Sequence, residues 1–587
     1  MTFAPSPPSR QPSVPARPVR RAAVASTGAI TGIVTALVAL GTAQLVAAAL
    51  AAPASAPVDA VGALSINHTP AAVKNFAISA FGSDDKTVLL WGIRGVLAVS
   101  AVVIGVLALR RLWLGMVGLA LFAAIGVYAA LAQSGASATD SLPTLAGAAA
   151  AAFALSYFGR LARRGLAGSA RGWPLRDVAA GPAGAPPPGI EAGAGRPAPQ
   201  HGPAPAGPLG VPASGPVWRP VGPQPSPPGQ DRRRFLTTSA VVAAGSLVAY
   251  GGGSWLASSR NVSIAQRSLR LPRAAVAAPP LPAGADLHIP GLSSFITPNA
   301  SFYRVDTALV LPEIAPAQWQ LRVHGMVRRE LLLTFDDLIK RPLIEDYITL
   351  CCVSNPVGGP YIGNAKWLGA SLRSLLQEAG VHAGATQLLC TSSDGFTSGT
   401  PVATAMDGRD ALVAVAMNDA ALPVAHGFPV RLVIPGLYGY VSACKWLVDI
   451  EVTTYGAAQA YWVPRGWSAQ APIKTESRID VPTGQNPVTV GSRVAIAGVA
   501  WAQHKGIEAV EVRVGNGPWQ QAQLATVPDL DTWRQWVYQW DVDVAPGSYL
   551  IEARATDKTG YTQTSLVEPP EPNGASGYPS VLVNVVS

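Results

Sequence analysis

Long apolar runs fill the first quarter of the chain, and short alternating segments fill its second half. Residues 28–52, 87–109, 112–132 and 141–159 each approach the roughly 20 apolar residues that cross a bilayer as a helix. A fifth run, 235–256, comes after a long gap. Within that gap, residues 172–230 are dominated by Pro, Gly and Ala, which predicts a linker with no core. Later the pattern becomes that of an ordinary globular chain. Residues 335–340 (FDDLIK) and 371–379 (SLRSLLQEA) predict short helices, and 343–351 and 429–434 predict strands. Residues 477–587 alternate apolar and polar positions, with predicted strands at 494–501, 510–514, 536–540 and 549–555 and a hairpin turn at Gly515-Asn516-Gly517. Several short strands of this kind predict an immunoglobulin-like β-sandwich. The expected organisation is a tail (1–27), four transmembrane helices (28–159), a linker (160–231), a fifth transmembrane helix (232–257), an α+β domain (284–455) and the sandwich (477–587).

Charge adds a direction to the membrane region. The chain has 587 residues, only 13% of them charged, and a net charge of +9. Its arginines cluster beside the apolar runs: Arg10, Arg17, Arg20 and Arg21 before the first, Arg110 and Arg111 between the second and third, and Arg160, Arg163, Arg164 and Arg171 after the fourth. The loops near 54–86 and 133–140 carry almost none. Positive residues stay on the cytoplasmic side. The N-terminus and linker are therefore expected in the cytoplasm, and everything after about residue 258 outside it. The basic balance is read as an orientation signal and not as nucleic-acid binding. Arg94 lies inside the second run, close enough to its outer end to snorkel. None of the seven histidines falls within a predicted transmembrane helix, so no membrane haem is expected. The fifth run opens with Asp231-Arg232-Arg233-Arg234-Phe235-Leu236, which looks like a twin-arginine export signal; the alternative is a plain cytoplasmic anchor.

The four cysteines, Cys351, Cys352, Cys390 and Cys444, form no CxxC pair. That argues against a disulfide scaffold, structural zinc or attached haem. Cys390 and Cys444 read as buried small hydrophobes. Cys351 and Cys352 end an apolar run and precede a turn-forming one, Val353-Ser354-Asn355. A thiol is thereby placed at the mouth of a buried strand, and thiolate suits a soft transition metal.

Leu350-Cys351-Cys352-Val353-Ser354-Asn355 resembles the metal-binding loop of the sulfite oxidase family of molybdopterin enzymes. Further landmarks of that family follow in order. They are Thr297-Pro298-Asn299-Ala300-Ser301-Phe302-Tyr303-Arg304, Trp367-Leu368-Gly369-Ala370-Ser371-Leu372, Ala416-Met417-Asn418, Leu422-Pro423, His426-Gly427-Phe428-Pro429-Val430-Arg431, Pro435-Gly436, Gly439 and Lys445-Trp446. The resemblance implies a molybdenum–molybdopterin cofactor with Cys352 as the metal's protein ligand. It implies cofactor contacts from Arg304, Asn355, His426, Arg431, Ser442 and Lys445. Arginine and lysine suit the pterin's phosphate, one as a planar fork and the other as a point charge. It also implies dimerisation through the C-terminal domain, and two-electron oxygen-atom transfer on a small substrate, with Arg304 in the pocket.

Departures bear on the substrate. Where the family follows its loop with arginines, this chain has Pro356 and Val357. The family's Arg-Asn-His becomes Arg304-Val305-Asp306. A catalytic tyrosine is replaced in Trp462…Trp467, with Gly466 in place of an aspartate, and Arg465 stands nearby as a compensating cation. The expected function is a membrane-anchored, extracytoplasmic molybdopterin-dependent oxidoreductase acting on a small, sulfur-containing molecule with a separate electron carrier. The alternatives are a sulfoxide reductase in place of a sulfite oxidase, or a non-catalytic surface binding protein with a relic cofactor domain.

Overall fold

The computed structural model describes residues 17–50, 52–70, 73, 76, 85–133, 136–168, 230–259 and 266–587. Most of the expected tail and almost all of the expected linker lie outside these residues. Among the described residues six helices come first: α1 (Arg17–Ala49), α2 (Pro57–His68), α3 (Asp85–Arg110), α4 (Leu112–Leu131), α5 (Leu142–Gly168) and α6 (Gln230–Ser259). Among the described residues, five of them (α1, α3, α4, α5 and α6) are long and apolar enough to cross a membrane. Helices α1 and α5 run past the apolar segments that announce them, because the flanking arginines are good helix formers. Helix α2 corrects the expectation of a loop between the first two spans: Pro57 occupies its first turn and His68 closes it.

Helix α1 packs against α3, α5 and α6. Small residues set the spacing. A Cβ on Gly32 would lie 1.8 Å from the Ala101 carbonyl oxygen, and one on Gly105 would lie 2.1 Å from that of Gly28. Close backbone approach of this kind is how membrane helices gain packing energy without a hydrophobic drive. Large apolar side chains such as Val99, Phe153 and Val248 face outward. Arg94 lies over the ring of Trp91, 5.1 Å from its centroid.

The middle of the chain is an α+β unit. In order it contains β1 (Gln320–Gly325), β2 (Leu331–Thr334), α7 (Phe335–Ile339), β3 (Leu343–Cys351), β4 (Ile362–Ser371), α8 (Leu372–Ala379), β5 (Gln387–Ser392), β6 (Thr397–Pro401), α9 (Val402–Met406), β7 (Leu412–Met417), β8 (Ala420–Ala421), β9 (Arg431–Val433), α10 (Gly439–Ser442) and β10 (Leu447–Thr453). One sheet runs β3-β4-β7-β8 with β9 paired to β7, and a second runs β2-β1-β10-β5-β6. Strand β3 is buried over its last six residues, Asp346 and Thr349 among them. Helix α8 starts where Ser371 accepts from the Ser374 amide and stops at Gly380, φ +71°. Its Leu372, Leu375, Leu376 and Ala379 form the buried stripe.

The C-terminal strands are β11 (Glu476–Val481), β12 (Val488–Thr489), β13 (Arg493–Trp501), β14 (Ile507–Val514), β15 (Gln520–Gln521), β16 (Gln523–Leu524), β17 (Arg534–Asp541), β18 (Gly547–Asp557) and β19 (Ser580–Val586). They form two sheets, β11-β13-β17-β16 and β12-β19-β18-β14-β15, around a shared core that includes Ile496, Trp536, Val512 and Ile551. Gly515, at φ +55°, begins the turn that brings β15 back on β14. This unit clamps the α+β unit. Trp501 and Trp533 join its core, the Trp533 amide donates to Thr349 Oγ1 at 2.7 Å, and the Thr349 amide donates to the Asp531 carbonyl at 2.9 Å. The strand that carries the cysteine pair is therefore held from the far domain.

Candidate functional site

Where strand β3 ends at Cys351, the adjacent thiols of Cys351 and Cys352 fall on opposite sides. Cys351 is 1% exposed and belongs to the core, whereas Cys352 lines a cavity of about 460 Å³. Successive side chains in an extended segment must diverge in this way. The turn beyond is braced by Asn355, whose Oδ1 accepts from the Tyr361 amide at 2.8 Å, while the Cys352 amide donates to the Tyr361 carbonyl at 2.9 Å. Cys352 Sγ lies 3.0 Å from Ser354 Oγ. Burial pushes the Cys352 thiol up, and Ser354 and the Lys445 charge pull it back; Cys351 is pushed well up by burial and by Glu476.

The cavity is rich in cations. Arg304, Arg431, Lys445 and Lys86 line it, with Asp306 and Asp394 as the acids. Arg431 enters from β9 and is 5% exposed. Its guanidinium donates only to carbonyls, of His426 at 3.1 Å and of Leu432 and Ala443 at 3.4 Å, and lies 5.0 Å from the centroid of the Trp367 ring. No carboxylate among the described residues pairs with it. Burial lowers it to about 10, so it stays charged at neutral pH. His426 Nε2 lies 3.2 Å from the Asn299 carbonyl oxygen. Burial, with Arg431 and Lys445 adding to it, lowers His426 to about 4, so the ring is neutral. Gly427, at φ +107°, separates these groups: a Cβ there would stand 3.0 Å from Arg431 Cβ and 3.1 Å from Lys445 Cβ.

Asp306 gathers three of the cations. Its carboxylate takes Lys86 Nζ at 2.6 Å, Arg304 Nε at 2.7 Å and Lys445 Nζ at 2.8 Å, with its side chain 4% exposed. Burial alone would raise this carboxyl; Lys445, Arg304 and Lys86 outweigh it and hold the group well below the usual carboxylate range. Lys445 is lowered to about 8 by burial and by its cationic neighbours, against the pull of Asp306.

The structure thus brings Cys352, Arg304, His426, Arg431, Lys445 and Trp467 around one cavity. Trp467 is 8% exposed, and its Nε1 has no partner among the described residues. Three other expected residues stand off the cavity wall. Asn355 braces the cysteine turn. The buried Ser442 hydroxyl donates to the Leu437 and Tyr438 carbonyls at 2.9 and 3.1 Å. Arg465 lies 3.8 Å from the centroid of the Tyr461 ring and donates to the Tyr461 carbonyl. Sequence reasoning missed five contributors. Asp306 read only as a lost histidine, Lys86, Ile66 and Leu89 line the cavity from the N-terminal helices, and Tyr303 is half-buried beside the thiols.

These features suit a molybdenum–pterin group. A buried guanidinium with no acid calls for an anion, and the pterin phosphate is one. The Trp467 indole N–H is a buried donor on the cavity wall without a partner among the described residues. Among the described residues no group of three or more His, Cys, Asp or Glu could hold a metal ion, whereas a single cavity-facing thiol matches a metal whose other ligands come with its cofactor.

Comparison with known proteins agrees. Residues 308–462 match the model of the oxidoreductase molybdopterin binding domain. The chain is 30% identical to sulfite oxidase of Gallus gallus over 322 residues, which is 47% of this chain and 69% of that one. It is also 30% identical to the mitochondrial sulfite oxidase of Rattus norvegicus, of which it spans 58%. A shorter match, 33% over 194 residues, covers 28% of the chain and 21% of an NADH nitrate reductase of Solanum lycopersicum. Among solved structures, the sulfane dehydrogenase SoxCD of Paracoccus pantotrophus aligns over 50% of this chain and 84% of its own, with a TM-score of 0.43 and 23% identity. The chain belongs to the sulfite oxidase family of molybdopterin-binding oxidoreductases.

Proposed function

We propose that the chain is a membrane-held molybdenum-cofactor oxidoreductase that transfers an oxygen atom to or from a small, sulfur-containing substrate. The observation that carries this reading is the buried, acid-free Arg431 facing the same cavity as Cys352. Molybdenum on a pterin supplies two-electron oxygen-atom transfer. Cys352 would hold the metal, Arg431 and Lys445 the phosphate, and neutral His426 would hydrogen-bond the pterin. Tyr303 keeps its proton, because burial and the neighbouring thiols raise it far above neutrality, so it can only donate or orient. The Trp467 indole supplies a donor but no transferable phenolic proton.

The same reading places residues 266–587 outside the cytoplasm, supported by five apolar helices and the arginine distribution. Arg232 and Arg233 would serve export of the folded, cofactor-loaded domain. The C-terminal sheets would form an immunoglobulin-like, dimerising module, and a separate carrier would exchange the electrons. The test is molybdenum and pterin content of the protein purified from its membrane, alongside Cys352→Ser. Near-stoichiometric cofactor in the parent, with metal lost in the variant, supports the reading. A folded protein without either would support a non-catalytic binding role instead.

A further inference from the structure

The cavity's charges are committed before any substrate arrives. Arg304 spends Nε and Nη2 on Asp306, at 2.7 and 3.3 Å. Lys445 gives Nζ to Asp306 at 2.8 Å, and Lys86 divides its ammonium between Asp306 at 2.6 Å and the Ala308 carbonyl at 2.8 Å. Among the described residues only Arg431 has no acid paired with it, and it is the most deeply buried of the four.

Four cations thus face two acids, Asp306 and Asp394, among the residues that line the cavity. A phosphate monoester held there would add about 1.5 to 2 negative charges, which offsets that excess. The loaded cavity then has no positive charge to spare. A compact oxyanion would have to displace Asp306, whose side chain is 4% exposed, from arginine and lysine.

We propose that Asp306 is a built-in anion that makes this site select an uncharged substrate, such as a neutral sulfoxide, over a free oxyanion. Resting on the function proposed above, the assignment deepens it by naming the substrate class and the residue that sets it. A second feature points the same way. Ile66 and Leu89, from α2 and α3, and Phe396 and Trp462, from the α+β unit, line the cavity, so apolar surface stands beside the charged groups. A molecule with one polar oxide and an apolar flank matches this division. Lys86 gives the membrane unit a direct part in it, because it supplies one of the three cations on Asp306.

The test uses full-length, molybdenum-loaded protein in detergent. Binding of sulfate, a non-reacting oxyanion, and of dimethyl sulfoxide is measured by calorimetry at fixed ionic strength, for the parent and for Asp306→Asn. The parent should bind the sulfoxide and bind sulfate weakly or not at all. Asp306→Asn releases Arg304 and both lysines and removes one negative charge, so its sulfate affinity should rise about ten-fold or more. Its sulfoxide affinity should change far less. Should Asp306→Asn fail to fold, the parent decides alone: sulfoxide binding unaffected by excess sulfate supports the proposal. Tight sulfate binding by the parent, or equal sulfate affinity in both proteins, overturns it. Metal and pterin analysis of the same sample separates the two claims, since a loaded enzyme that prefers sulfate refutes the role of Asp306 and leaves the cofactor assignment standing.

Discussion

Lys86 Nζ lies 2.6 Å from Asp306 Oδ1, so the first turn of α3 is ion-paired to the wall of the cavity that holds Cys352. Side-chain exposures of 24% and 4% make this a partly buried pair. Replacing Lys86 by methionine keeps the stem and removes the charge. Loss of one charge-assisted hydrogen bond should cost roughly 1.5–3 kcal/mol, read as a lower melting temperature in detergent. An unchanged melting temperature would mean that the two units do not depend on this contact.

Arg431 makes a prediction of opposite sign. Holding a guanidinium in the interior without an acid is unfavourable until an anion binds. Arg431→Met should therefore leave the cofactor-free protein as stable as the parent or more so. Pterin retention should fall by about ten-fold or more, as expected for a lost charged contact of roughly 1.5–3 kcal/mol. Both quantities can be read from one purification by thermal melting and pterin fluorescence.

Glu476 should leave a pH signature. The residue is 4% exposed in β11, and burial pushes its carboxyl up to about 8 against the opposing charge of Lys474. In the unfolded chain it titrates near 4.3. Between those values the folded state keeps a proton that the unfolded state has lost, so this group makes stability fall as pH rises from about 4.5 to 8. Burial of neutral His426, lowered to about 4, acts in the reverse sense between about 4 and 6.5. Comparing Glu476→Gln with the parent isolates the first effect. The variant should match the parent near pH 4.5 and exceed it above pH 8 by on the order of 1–4 kcal/mol.

Changing Arg232 and Arg233 both to lysine keeps the positive charge and alters only the geometry an export receptor reads. Export of the C-terminal half should fail while the earlier helices still insert. Compartment-specific reporters near residue 205 and at the C-terminus should report opposite sides for the parent. Normal export of the lysine pair would reduce the arginines to an anchor.

Much of the architecture was legible because it follows from local chemistry. Strand β3 covers the predicted residues 343–351, helix α8 follows its predicted segment with Ser371 outside it as the cap, and the turn at Gly515 falls where its residues predict it. Helix α2 was not legible, because its twelve residues are too short to read as a span and lack the polar face that marks a surface helix. In the site, the cysteine turn, His426, Arg431 and Lys445 lie within two short stretches and could be read from motif order. Lys86 could not, since 220 residues separate it from Asp306 and only the tertiary fold joins them. Ser442 shows the converse limit: a residue inside a readable motif whose hydroxyl is spent on the Leu437 and Tyr438 carbonyls just before its helix.

The central claim is that one thiol of an adjacent pair reaches the metal. Molybdenum K-edge absorption of the purified protein, compared with Cys351→Ser and Cys352→Ser, tests it most directly. The parent and Cys351→Ser should show the same sulfur coordination, because Cys351 lies in the core. Cys352→Ser should lose one sulfur ligand or the metal altogether. Unchanged sulfur coordination in Cys352→Ser, or its loss in Cys351→Ser alone, would contradict the account.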